Sequence, residues 1–287
     1  MTAAIELAAP ARHGALRRLV STPQAAIAAA LAVVLIGAVL LAPLIAPAAP
    51  DAIDPGNPFA GPGGAHLFGT DELGRDLFSR MLYGGRFSLG IAASATLVAM
   101  VLGVVWGFVA AEAKGWLGEL LMRGADVVMA VPIVLLGIIL VAAFGASAPS
   151  LAVIIGLLLT PGTARIARSA VLAELKADYR LAAVAAGIPR GRVLFGELLP
   201  NAAPVLIARA SLVVADAIMI EASLSFLGLG IAPPAASWGT LLQQGYTNLF
   251  SSVSYVIFPG VVIFGAIWVF NTLGDRIQAI LDPRTAR

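Results

Sequence analysis

The sequence predicts an all-α membrane protein with about six transmembrane helices. Of its 287 residues, 60% are hydrophobic and only 12% are charged, about half the charged share of an ordinary soluble domain. Six apolar runs stand out, at 24–46, 87–111, 127–144, 149–164, 202–228 and 253–273. A spanning helix needs about 20 such residues, with a range of about 17–25. With the N-terminus in the cytoplasm, fourteen of the eighteen Lys and Arg fall in inside segments. Arg75, Arg80 and Arg86 lie outside, and Arg209 falls within a span. That bias orients both termini inward.

Composition also narrows the chemistry. The chain has no cysteine, which excludes disulfides, iron–sulfur ligation and thiolate catalysis. His13 and His66 are its two histidines, and neither sits in a predicted span, so no metal site is expected. A net charge of +2 without a dense basic cluster gives no footprint for nucleic acid. No G-x-x-x-x-G-K-[ST] loop occurs, so ATP hydrolysis has no place on this chain.

In chain order, 1–23 is a cytoplasmic segment whose Arg17 and Arg18 precede the first span. The run from Gln24 to Ala46 has 23 residues, longer than the about 7–15 of a signal-peptide core, so it reads as a retained helix. The outer loop, 47–86, opens as a Pro- and Gly-rich connector. Thr70-Asp71-Glu72 then resembles a helix start. Leu73, Leu77, Met81 and Leu82 share one face, and Gly84-Gly85 is the expected stop. Asp71/Arg75 and Asp76/Arg80 are spaced to pair along that helix. It is expected either at the membrane surface or against its own bundle. The remainder, 87–287, forms a five-helix core.

Within that core, Gly103 and Gly107 permit close helix approach. Pro161-Gly162 is expected to interrupt the fourth span. Trp106, Trp116, Trp238 and Trp268 fall near predicted interfaces or in packing positions.

The loop at 165–201 is the longest inside segment. Asp178-Tyr179-Arg180-Leu181-Ala182-Ala183 leads to Gly187-Ile188-Pro189-Arg190, and Leu199-Pro200 follow. This predicts two short helices with a bend, since Gly187 accepts unusual backbone angles and Pro189 pre-sets the next turn. The alanines leave the first helix thin enough for a partner's groove to close around it.

Here the chain resembles the permease subunits of ABC importers. Ala182, Ala183, Gly187, Leu199 and Pro200 stand at the spacing of that family's coupling motif. Two places depart from it: Leu181 stands where the family has glutamate, and Glu197 where an apolar residue is usual. The first departure removes one expected polar contact to an ATPase. The stretches His66–Asp76, Glu221–Gly230 with Pro233-Pro234 and Ser237-Trp238-Gly239, and Leu273–Arg276 with Leu281–Arg284 are similar to the dipeptide/oligopeptide branch, C-type subunit. The resemblance runs from His66 onward.

It implies a type I importer permease fold, with no enzymatic activity on this chain. It further implies a heterodimer with a B-type permease, two ATPases that carry ATP and Mg, and an extracellular binding protein. Peptide is the implied cargo, with glutathione or nickel complexes as other cargoes of the branch. Asp178, Tyr179, Ala182, Ala183, Gly187, Arg190, Leu199 and Pro200 would form the ATPase-coupling segment of a protein in the bacterial inner membrane.

Arg209, Asp216 and Glu221 are charges within or near the fifth span. Such groups face a protein interior or an aqueous path. They read either as a proton or substrate route, or as mutual pairing of Arg209 with Asp216. The first reading belongs to a rival class, a secondary transporter or channel driven by an ion gradient. A non-transporting scaffold is a second rival.

Overall fold

The computed structural model describes residues 20–113, 115–175 and 190–281, and among them the fold is helical. The one isolated bridge among the described residues joins Thr70 and Asp76. Five helices are long and apolar enough to cross a membrane, or six if one sharply bent pair counts as a span. The expected fold class is therefore the observed one.

Helix α1, Pro23–Leu40, starts with Thr22 accepting the Ala25 N–H and Pro23 in the first turn. It stops short of the predicted 46 because Pro43 has no N–H to continue the ladder. A separate turn, Ala42–Ile45, follows. Val33 and Val34 on α1 are exposed, as are Phe144 and Phe264 elsewhere. Large apolar side chains facing outward along long helices are what a lipid solvent permits.

Helix α2, Leu77–Glu112, corrects the reading of the outer loop. The helix does not begin at Thr70: Asp76 is its cap, accepting the Ser79 N–H at 2.8 Å. Residues 70–76 are instead a tight loop whose carbonyls and amides pair with the connector, as in Asp54 N–H to Leu73 O at 3.2 Å. Gly74 turns that loop with φ +74, and a Cβ there would stand 1.9 Å from the Asp54 carbonyl oxygen. Nor do Gly84-Gly85 stop the helix. At Gly85 a side chain would strike Val39 and Trp238, so the pair serves close packing within an unbroken α2.

Helices α3, Trp116–Ala130, and α4, Ile133–Phe144, replace the straight third span expected over 127–144. They meet at 87°. Val131 is extended, with φ −86 and ψ 132, because the residue before a proline avoids the helical region and Pro132 cannot donate.

Helix α5, Ala148–Glu174, opens on a reciprocal Ser147/Ser150 cap and runs straight through Pro161. The expected interruption at Pro161-Gly162 is absent. The missing hydrogen bond is tolerated inside the bundle's most extensive helix pair, α2 with α5. Glycines set that spacing: a Cβ on Gly103 would lie 2.6 Å from Thr163 Cβ, and one on Gly107 would lie 2.5 Å from the Ala164 carbonyl oxygen. The close approach expected of Gly103 and Gly107 is real, and Gly156 answers from α5 against Val98.

A short helix, Arg190–Val193, and a π-turn, Leu194–Leu198, lead into α6, Leu199–Leu224. A second π-turn, Ser225–Leu229, closes α6 with Gly228 at φ +82. Helix α7, Trp238–Thr247, carries a Ser237/Thr240 capping box, and α8, Ser254–Leu281, ends the described chain. α6 lies against α8, α2 and α5, while α1 rests on α8.

Candidate functional site

The expected coupling residues divide at the edge of the described chain. Asp178, Tyr179, Ala182, Ala183 and Gly187 lie outside the described residues. Arg190 opens the short helix before the π-turn, and Leu199 and Pro200 form the first turn of α6. Leu198 is buried, and Leu199 packs on the same apolar cluster, which includes Phe108, Val171 and Leu206. Residues 190–198 therefore run directly into α6. Pro200 fits this position because the first-turn N–H of a helix has no intrahelical acceptor to lose.

Two of the three charges on α6 are brought together. Arg209 Nη1 stands 3.6 Å from Asp216 Oδ2, with 15% and 37% of the two side chains exposed. That distance makes an ion pair and is too long for a good hydrogen bond. Arg209 Nε is buried without a hydrogen-bond partner. The guanidinium lines a cavity of about 250 Å³ bounded by Met129, Val131, Pro132, Ile133, Leu158 and Gly162, among others. The break between α3 and α4 thus opens beside the only strongly polar group on this stretch of wall.

Glu221 is elsewhere. Its side chain is 1% exposed and accepts Ser225 Oγ at 2.7 Å and Ser88 Oγ at 3.1 Å. Ser88 Oγ in turn accepts the Trp238 backbone N–H at 3.0 Å. Trp238 Nε1 donates to the Met81 carbonyl at 2.9 Å. A carboxylate so enclosed ties α2, α6 and the start of α7 into one knot, since a buried acceptor must keep its donors.

The network that sequence reasoning missed is at the connector end. Asp71 accepts Arg75 Nε at 2.6 Å and Arg80 Nη1 at 2.9 Å, with all three side chains nearly or wholly buried. Arg80 Nη2 also reaches Gln244 at 3.3 Å, and Tyr255 donates to the same Gln244 oxygen at 2.8 Å. The expected Asp71/Arg75 pair forms, although in a loop. The expected Asp76/Arg80 pair does not, because Asp76 caps α2 and contacts His66 Nδ1 at 2.9 Å. Glycine and serine spacing at Ser237-x-x-Thr240 was the available signal for α7. Nothing local in the sequence points Arg80 toward Gln244, 164 positions away.

Outside the membrane helices, Asp54 receives the Asn57 side-chain amide at 2.8 Å and the Gly56 N–H at 3.1 Å. These bonds hold its carboxyl below its ordinary pKa. Among the described residues, no group of three or more His, Asp or Glu is placed to hold a metal ion.

Comparison with known proteins fits this architecture. Residues 99–287 match the family model described as binding-protein-dependent transport system inner membrane component. A dipeptide transport system permease protein of Alkalihalophilus pseudofirmus is 35% identical over 245 residues, covering 85% of this chain and 81% of that one. A glutathione transport system permease protein of Pectobacterium atrosepticum is 36% identical over 224 residues, covering 78% and 74%. A structure of the MetNI methionine ABC transporter, in an inward-facing conformation, aligns with a TM-score of 0.58 at 17% identity. It covers 69% of this chain and 94% of that chain, a likeness that shows the type I importer permease fold.

Proposed function

The chain belongs to the family of binding-protein-dependent transport system inner membrane components, and from that premise we propose that it forms half of the translocation pathway of an ATP-driven peptide importer. The observation that carries this reading is the family match over residues 99–287, joined to permease relatives at 35% and 36% identity over most of both chains. A B-type permease supplies the other half. Two ATPases bind ATP and Mg and hydrolyse the nucleotide, and an extracellular binding protein delivers cargo. This chain catalyses no reaction of its own.

Both termini face the cytoplasm in this proposal, on the strength of the cation bias. The 165–201 segment then meets the ATPases, and the connector and α7 face the binding protein. Closure of the ATPases pushes the stretch from Asp178 to Pro200. Because Leu199 starts α6 directly, the push travels along α6 past Arg209 to the Glu221 knot. The two ends of the pathway open in alternation as the halves rock.

Affinity purification of the tagged chain from its own cells tests the reading. The expected result is co-elution of two ATPase chains and a second permease. Gly187→Pro, or removal of 182–187, should leave that complex assembled while lowering ATP-dependent uptake at least about tenfold. Normal uptake by either variant contradicts the coupling role. A chain that elutes alone and transports under a proton or sodium gradient supports the ion-driven rival instead. Dipeptide and glutathione uptake, measured side by side, decides between the cargoes of the two named relatives.

A further inference from the structure

The charge on α6 has more capacity than its partner uses. Arg209 sits ten residues after Leu199, the first residue of α6, or about 15 Å along the helix at 1.5 Å per residue. That is a little under halfway along the 26-residue helix, within a candidate membrane span. A guanidinium carries five N–H donors. Here the nearest carboxylate oxygen is 3.6 Å from Nη1, and Nε has no partner. Gly162 faces the guanidinium across the cavity, where a Cβ would lie 3.5 Å from Arg209 Nη2, an ordinary contact distance.

The rest of the cavity wall is apolar, so it offers a carboxylate no competing cation and a cation no partner. Ile133 opens α4 on the same wall. The first N–H groups of α4 favour negative charge, and the last carbonyls of α3, beside Met129 and Val131 on the same wall, favour positive charge. The two helix ends offset, and Arg209 sets the sign.

We propose that this cavity is an anion subsite on the translocation pathway, at which Arg209 transiently receives a carboxylate of the cargo. Asp216 acts as its counterion between passages. It balances the guanidinium charge, and the 3.6 Å contact lets a carboxylate compete for the terminal Nη groups, while Nε stays buried. A planar fork suits a carboxylate better than a lone ammonium would. The anion's identity as cargo rests on the importer reading, whereas the subsite itself does not.

The chain has no cysteine, so one reporter thiol can be placed on the cavity wall. Met129 lines it and is 47% exposed. In the purified complex carrying Met129→Cys, the rates of modification by an anionic sulfonatoethyl and a cationic trimethylammonioethyl methanethiosulfonate are compared by mass spectrometry of this chain. Removing one full charge at this range should lower the anion-to-cation rate ratio by about tenfold in Arg209→Gln. Arg209→Lys should keep most of the ratio, and Asp216→Asn should raise it. Dialanine should slow the labelling, and dialanine amide should not.

An unchanged ratio in Arg209→Gln, equal protection by dialanine and its amide, or a thiol that neither reagent reaches would each overturn the subsite. The assay needs no nucleotide. Failure of ATP-dependent uptake would therefore strike the importer reading and leave this result standing on its own.

Discussion

At the connector end, Asp71 holds Arg75 and Arg80 at 2.6 and 2.9 Å, all of them nearly or wholly buried. Midway along α6, Arg209 and Asp216 stand 3.6 Å apart with 15% and 37% of their side chains exposed. Both regions are charged groups in an apolar bundle, yet only the first is locked. Its oxygens are consumed by short bonds from two arginines and from the Leu73 and Arg75 amides, and its role is to shape a loop. The second is a single 3.6 Å contact beside a cavity. A buried Nε without a partner occurs in both regions, on Arg80 and on Arg209, so the contrast lies in the carboxylate contacts. Partner geometry, more than charge alone, separates the closed ion pair from the open one.

The difference can be broken most forcefully at Asp71. Asp71→Ala strands two arginines, and removing one member of a buried pair costs about 3–5 kcal/mol. Thermal unfolding of the detergent-solubilised complex should reveal a loss of that order, and a loss below about 1 kcal/mol would erase the distinction. Gly107→Val serves as the uncharged control. Overpacking against Ala164 and Ala167 should cost about 1–3 kcal/mol in the same measurement and leave the connector's protease resistance unchanged.

Glu221 lies between the extremes. Glu221→Ala leaves Ser88 and Ser225 without their acceptor and should cost about 1–3 kcal/mol, whereas Glu221→Gln keeps an acceptor and should cost less. Arg209→Gln removes one loose contact where Asp71→Ala removes several short ones, so it should cost less stability than Asp71→Ala while altering the charge preference of the cavity. A large stability loss there would place Arg209 with Asp71.

The smallest effect is expected at Asp54. Its pKa is lowered by the Asn57 and Gly56 bonds, so its contribution is present above the unfolded value and disappears as pH falls through the folded value. The connector should become more open to an acid-active protease across that window, and Asp54→Ala should remove the pH step.

The spans were legible because hydropathy over about 20 residues reports the lipid solvent directly. Pro132 broke its span and Pro161 did not. The expectation from sequence was the reverse, an interruption at Pro161 and an unbroken run over 127–144. The difference is that Pro161 lies inside the buried α2–α5 interface, where neighbouring elements hold the helix together. Thr70-Asp71-Glu72 reads as a helix start on composition, yet Asp71 is drawn into a loop by arginines and amides whose positions depend on tertiary closure. The Arg209/Asp216 pair was visible from spacing along one helix. The cavity beside it was not, since its walls come from four helices, α3 to α6. The glycine contacts were visible at Gly103 and Gly107, where small residues four apart on one face mark a packing surface.

The most direct measurement is peptide uptake into proteoliposomes holding the co-purified complex, with the binding protein supplied. Accumulation should require ATP inside the compartment that faces the 165–201 segment, and should vanish when the ATPases are omitted. Vectorial uptake by this chain alone, with no nucleotide present, would contradict the account.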